Sequence, residues 1–258
     1  MSITNLCKNK SSYGEDIIRE IKKIKSNEQG KIIDQAIIDL KDFNFNGTSL
    51  DFYENLLSIF IASQKEIYLV DELQNVFELA NSFMKYCRYN DYDEINEPYL
   101  IIFNSMAHLQ EDKAERGYIR RLIEAGFNSE KILIVGSRNM GDDEIIYARE
   151  KRIKLIGMNK IYSNIEDTCD IIMEYVNGKE KKVLLCLDMN IIDPAFAPGV
   201  TDLHAGGISS RDIIYFVQRL NRLKNLKGIS LSGIDIEKDK KNDLVTIKLG
   251  AKIIAEFL

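Results

Sequence analysis

The sequence predicts a three-layer α/β/α sandwich around a mostly parallel sheet, and three observations carry that prediction. Short apolar runs alternate with longer stretches of helical periodicity. Most of those runs are continuously apolar, as strands buried on both faces of a parallel sheet must be. Strand and helix also follow one another in turn, the connection that parallel strands require.

The strand candidates, in order, are "KIIDQAIIDL", "EIYLV", "YLIIFNS", "KILIVGS", "IKLIGM", "KVLLCLDM" and "KGISLSGIDI". Between them, "SLDFYENLLSIFIASQ" sets Leu50, Phe52, Tyr53, Leu56, Leu57, Phe60 and Ile61 on one helical face. "GYIRRLIEAGF" is a helix closed by Gly126, and "DDEIIYAREKR" opens with acids suited to the positive end of a helix. "SSRDIIYFVQRLNRL" is capped by Ser209 or Ser210, and "VTIKLGAKIIAEFL" is the closing helix. No repeat or linker interrupts the pattern, so residues 1–258 are read as a single domain.

Composition narrows the function classes. The chain is 45% hydrophobic and 29% charged, with a formal net charge of −5 from 35 basic and 40 acidic residues mixed along it. No concentrated basic face is visible, so nucleic acid is not an expected partner. "REIKKIKSNEQGK" and "EKDKKND" read as solvated faces or turns. Cys7, Cys87, Cys169 and Cys186 form no CxxC pair, which suits a reducing, cytoplasmic setting. No run approaches the roughly 20 apolar residues of a membrane helix, and the N-terminus lacks a signal-peptide core.

Chemistry in a parallel α/β sheet belongs at the carboxyl ends of the strands. The tips here are Val70-Asp71-Glu72, Asn104 to His108, Asp188 to Pro198, and Asp235 to Glu237. The third lies in "LLCLDMNIIDPAFAPGVTDLHAGGISSRDI", where carboxylates stand at Asp188 and Asp193 and an amide, Asn190, stands between them. Asp193 with Pro194 shapes the loop, and Gly199, Gly206 and Gly207 are expected at positive φ.

"LDMNIIDPAFAPG" followed by "GGISSRD" resembles the signature loop of the ureohydrolases, the arginase and agmatinase family. "GYIRRLIEAGFNSEKILIVGSRNMGDDEIIYAREKRIKLI" is similar to that family's helix–strand–helix segment. "IIDLKDFNFN" and "GIDIEKDKKNDLVTIKLGAKIIAEFL" resemble its opening strand and its closing strand and helix. The likeness spans about residues 32–258. Residues 1–31 form a shortened, divergent N-terminal segment in which the family's first strand is expected to be missing or rebuilt.

The resemblance implies an arginase-like fold, trimeric or hexameric homo-oligomers, and a two-manganese centre. There a bridging hydroxide attacks a guanidinium carbon and releases urea and an amine. Carried over position by position, most of its ligands are replaced. A ligating histidine becomes Leu73; an aspartate, a histidine and an aspartate become Asn104, Met106 and His108; Asp188 is kept; its neighbouring aspartate becomes Asn190. Amide oxygens carry no charge and a thioether is a soft donor, so paired dications would repel with little compensation. No cofactor is expected, or at most one divalent ion, manganese or zinc, at Asp188 and His108 with help from Glu72, Asp202 or His204. The alternative for Asp188 is a buried strand-end carboxylate bonded to loop amides.

The resemblance further places Arg116 at the proton-shuttling position and Glu237 near the carboxylate that grips a guanidinium. Asp202 and His204 lie on the substrate loop. With Arg116, Arg120 and Arg138 at family positions and the acids gone, the site would suit a small anion. The function expected is therefore a family protein without amidine hydrolysis, acting as a binding or oligomeric subunit. The alternative is a single-metal hydrolase of C–N bonds in linear amidines. A deacetylase of similar fold would need an Asp/His/Asp zinc triad, which is not present.

Overall fold

The computed structural model describes residues 2–6, 13–29, 37–39, 56, 60, 65–71, 73–90, 97–111, 116–178 and 181–258. Eight strands form one sheet: β1 (Ser2–Leu6), β2 (Ile37–Asp39), β3 (Glu66–Val70), β4 (Tyr99–Phe103), β5 (Ile132–Val135), β6 (Lys154–Ile156), β7 (Val183–Asp188) and β8 (Leu226–Ser232). Their order is β2-β1-β3-β8-β7-β4-β5-β6, and every pairing is parallel. The predicted α/β sandwich is therefore the fold.

Strand burial explains why the runs are apolar throughout. β3, β4, β5 and β7 are buried at every position. Alternate residues divide between two cores: Tyr99, Ile101, Phe103, Leu185 and Leu187 face one, while Leu100, Ile102, Leu184 and Cys186 face the other. Helices α1 (Gly14–Gln29), α5 (Met158–Ser163), α6 (Ile165–Val176), α7 (Ser210–Leu220) and α9 (Val245–Phe257) cover the first face. Helices α2 (Leu73–Asn90), α3 (Tyr118–Glu124) and α4 (Asp142–Glu150) cover the second. Each fully buried Leu, Ile or Phe contributes on the order of 1.5–3 kcal/mol, which is what drives the layers together.

Of the two expectations for the N-terminal segment, a missing strand is corrected: Ser2–Leu6 form β1, an interior strand paired with both β2 and β3. "SITNL" is short and carries two polar residues and an amide, so it gives no apolar-run signal. Arg19 to Gln29 of the basic stretch after it lie on α1, which buries Ile17, Ile18 and Ile21 and exposes Arg19, Lys22 and Lys23. Most of "SLDFYENLLSIFIASQ" falls outside the described residues, but Leu56 and Phe60 are helical and buried. Positions 31–36 and Glu72 are also outside them.

Helix ends follow the chemistry of their first turns. Ser209 caps α7, its hydroxyl accepting from Asp212 N at 3.2 Å, and Asp212 reaches back to the Ser209 N–H at 3.4 Å. Glu144 caps α4 by accepting from Gly141 N at 3.1 Å, and its other oxygen accepts from Leu109 N at 2.9 Å. A short helix α8 (Ile236–Lys240) lies in the lysine-rich "EKDKKND" stretch. That stretch is not simply solvated: Asp239 within it is wholly buried and accepts from Thr246 N and Ile247 N at the start of α9.

Of the three loop glycines expected at positive φ, only Gly206 is there, at 75°. Gly199 and Gly207 are required for space. A Cβ at Gly199 would collide with Asp239, and one at Gly207 with the backbone of Ile191 to Asp193.

Candidate functional site

β8, β7 and β4 are neighbours, so their carboxyl ends bring Ser232, Asp188 and Asn104 side by side. Register fixes this: Phe103 pairs with Leu187 and Asp188 with Ser232. Asp188 is buried at 3% exposure. Its Oδ1 accepts from Asn190 N at 2.8 Å, and its Oδ2 accepts from Asn104 Nδ2 at 3.1 Å. Burial pushes the Asp188 carboxyl up to about 6. The Asn190 N–H, the Ser232 side chain and Asn104 pull against that, and Asp202 adds to it.

Asn104 is held in one orientation. Its Oδ1 accepts from Met106 N at 3.1 Å, which turns Nδ2 toward Asp188 and toward His108 Nε2 at 2.9 Å. With Asn104 Nδ2 as the donor, His108 Nε2 is the acceptor of this pair. His108 sits at φ 52°, a region that ordinary L-residues rarely occupy. Its carbonyl accepts from Ile119 N at 3.2 Å, and its ring packs 4.9 Å from that of Tyr118. Tyr118 is fully enclosed, and burial first, then Cys186 and Asp188, raise its phenol well above the ordinary value.

Asn190 faces the other way. Its Nδ2 donates to Thr201 Oγ1 at 2.9 Å, and its Oδ1 accepts from Asp202 N at 2.9 Å and from the Thr201 hydroxyl at 3.2 Å. The position needs a donor and an acceptor together, and an amide supplies both where a carboxylate has no donor. That is the physical reason an amide suits a position flanked by carboxylates.

The remaining candidates are placed differently. Met106 is buried and bridges to Asn139, and Leu73 begins α2 against the second core. Arg116 is exposed in the turn before α3, its carbonyl accepting from Gln110 N. Arg120 pairs with Glu111 at 3.0 Å and with Glu124 at 3.3 Å, and stacks on Tyr147. Arg138 directs its guanidinium to the carbonyls of Asn190, Ile191, His204 and Ala205 at 2.7–3.2 Å. It staples the two halves of the signature loop. Glu237 is exposed and pairs with Lys240 at 2.7 Å, while Asp235 caps α8. Asp202 is exposed, and His204 has its Nε2 buried without a hydrogen-bond partner among the described residues.

Asp193 behaves as the sequence implies. It accepts from Ala195, Gly206 and Gly207 N–H groups at 2.8–3.2 Å, and the Ala195 bond leads the causes holding its carboxyl below the usual range. Residues that sequence reasoning missed are Tyr118, Ser232, Glu144 and Asp239. Only Glu144 had a local signal, an acid three residues after Gly141.

The donor set does not fit a pair of manganese ions. It offers one carboxylate and one imidazole, two amides, a thioether and a leucine, and both amides are engaged within the protein. Among the described residues, no three His, Cys, Asp or Glu side chains are grouped to hold a metal ion.

Solved structures share this architecture. The formimidoylglutamase of Bacillus subtilis subsp. subtilis str. 168 superposes with a TM-score of 0.81 at 15% identity, over 99% of this chain and 85% of its own. The arginase of Bacillus cereus gives 0.79 at 16% identity, over 99% and 96%. At those identities the likeness defines the class of fold, an arginase-like α/β sandwich. The sequence goes further: the arginase family model matches residues 104–258, and the chain belongs to the arginase family. The mitochondrial arginase 1 of Oryza sativa subsp. indica is 31% identical over 146 residues, which is 55% of this chain and 37% of that protein. The chain thus matches roughly two fifths of the length of its curated relatives. Among the described residues, no helix is long and apolar enough to cross a membrane.

Proposed function

We propose that this chain is an arginase-family protein that has lost the dinuclear manganese centre and with it amidine hydrolysis, and that it acts as a binding or oligomer-forming subunit. One observation carries the reading. The lone pairs and protons that a metal site would leave open are used internally, with Asn104 joined to both Asp188 and His108. A buried polar group satisfied in this way gains little from a metal, because binding would first break those bonds. The names of its relatives, arginase and formimidoylglutamase, describe the chemistry of that fold elsewhere and are no support for activity here.

The second reading, a single-metal hydrolase of linear amidines, draws on the convergence of Asp188 and His108 on one amide. Rotating Asn104 away would leave a carboxylate and an imidazole facing one another. The test is metal content after dialysis against manganese and, separately, zinc, with urea release from agmatine and arginine measured in parallel. Less than about a tenth of an equivalent and no urea supports the first reading. One equivalent, lost in Asp188→Ala or His108→Ala, supports the second. Two equivalents of manganese with urea release would overturn both.

A further inference from the structure

Basic residues stand at the start of strand after strand: Lys131 before β5, Lys154 opening β6, Lys181 and Lys182 before β7, and Arg222, Lys224 and Lys227 around the start of β8. Because all the strands run parallel, these starts share one edge of the sheet, opposite Asp188. The order β8-β7-β4-β5-β6 makes them neighbours. Cations dispersed between positions 131 and 227 are thereby collected, a concentration invisible in the mixed charge of the sequence.

At the middle of that edge, three ammonium groups surround two tyrosines. The Tyr99 ring lies 4.8 Å from Lys131 Nζ and 4.9 Å from Lys181 Nζ, so these two charges are no more than about 10 Å apart. Lys131 Nζ also donates to the Tyr99 hydroxyl at 3.0 Å. Tyr175 stands edge-on to Tyr99 at 5.4 Å, holds Lys154 Nζ 4.5 Å from its ring, and accepts from Lys181 Nζ through its carbonyl at 3.2 Å. Attraction between an ammonium and an aromatic face, on the order of 0.5–1 kcal/mol at exposed sites, keeps the like charges from spreading into solvent. Of the acids described nearby, Glu130 pairs with Arg152 at 3.1 Å and Glu97 with Arg88 at 2.8 Å, while Glu174 stands on the wall of the adjoining groove; Glu180, next to Lys181, lies outside the described residues. Asp91, Asp93 and Glu94, which precede β4, lie outside the described residues.

A groove of about 570 Å³ opens at the same edge, lined by Met173, Glu174, Asn177, Arg222, Lys224 and Asn225 among others. The last turn of α6 supplies one wall of it and also presents Tyr175, so the groove and the lysine cluster share that turn. Its size is that of a small-molecule site, which runs from roughly 300 to 1,000 Å³.

We propose that this edge binds a small molecule bearing two or more contiguous phosphates. Lys131, Lys154 and Lys181 take the phosphates, and the groove, flanked by Arg222 and Lys224, takes whatever they are attached to. Lysine serves phosphate as a point charge and needs no fixed geometry. A single anion would satisfy one ammonium, whereas a run of phosphates spans several.

The experiment is isothermal titration of the full chain with inorganic tripolyphosphate, adenosine triphosphate and inorganic phosphate at low salt. Tripolyphosphate is expected to bind at least tenfold more tightly than phosphate. Lys131→Gln with Lys181→Gln is expected to weaken it at least tenfold, and Lys154→Gln, at an exposed position, more modestly. Tighter binding of the nucleotide than of tripolyphosphate identifies a nucleoside polyphosphate as the class, and equal binding an inorganic polyphosphate. Circular dichroism confirms that each variant is folded. No heat at millimolar tripolyphosphate overturns the proposal. So does unchanged affinity in the folded double variant, or equal weakening by Lys160→Gln, whose partner is Asp167.

Discussion

Asn104 Nδ2 donates to Asp188 Oδ2 at 3.1 Å across the tips of adjacent strands, and the same nitrogen lies 2.9 Å from His108 Nε2. One amide therefore joins the carboxylate of Asp188 to the imidazole of His108. Asn104→Asp would set two carboxylates against each other in a buried place and exchange the amide donor facing His108 for an acceptor. Stability at pH 8 should fall by about 2–4 kcal/mol, read as a lower urea midpoint. Recovery of that loss by manganese would mean that a metal site can be rebuilt from a single position, contrary to the reading given above.

Asp188 gives a pH dependence with a defined sign. Its carboxyl is pushed from 3.8 up to about 6, so the folded state binds its proton more tightly than the unfolded chain does. Above pH 6 the buried charge opposes folding. Between about pH 6 and pH 4 that penalty disappears, because the native carboxyl is then protonated. Asp188→Asn removes the titration. The variant should therefore gain stability relative to the parent by about 2–3 kcal/mol on going from pH 4 to pH 8, whatever its fixed offset. Paired urea titrations at both pH values measure it, and a difference independent of pH would show that Asp188 titrates normally.

Arg138 is expected to matter for the loop rather than for a ligand. Arg138→Lys keeps the charge but replaces a fork that reaches carbonyls on both sides of the loop with a single point donor. A loss of about 2–3 kcal/mol should follow, with faster amide exchange across residues 190–206. Exchange unchanged in that segment would refute the staple.

Gly233 sits at φ 81°, and a Cβ there would collide with Asp188 Oδ1. Gly233→Ala combines a backbone penalty of about 1 kcal/mol or more with displacement of the buried carboxylate. A total above about 2 kcal/mol in chemical denaturation is the expected result. Gly206, also at positive φ but with open space around it, should show the backbone penalty alone when changed to alanine.

The apolar runs, the Ser209 and Asp212 cap, the closing glycine at 126 and the "DPAFAPG" loop were legible because they are local. Each depends on residues a few positions apart, whose propensities and hydrogen bonds do not need the rest of the chain. Strand β1 was not legible, because "SITNL" has too little apolar length. Its place in the sheet is set by pairing with β2 and β3 on either side.

The site divides in the same way. The sequence by itself determined the α/β class and the family, and it put an amide, a thioether and a histidine at the strand tip from Asn104 to His108. Only the tertiary structure decided what those side chains do: that Asn104 closes on Asp188 and His108, that Asn190 turns to Thr201 and Asp202, that Arg138 holds carbonyls, and that lysines from separate segments share one edge. The reason is distance along the chain. Asn104 and Asp188 are separated by 84 positions and meet because their strands are in register, and hydrogen bonds of 3 Å cannot be read from spacings of that length.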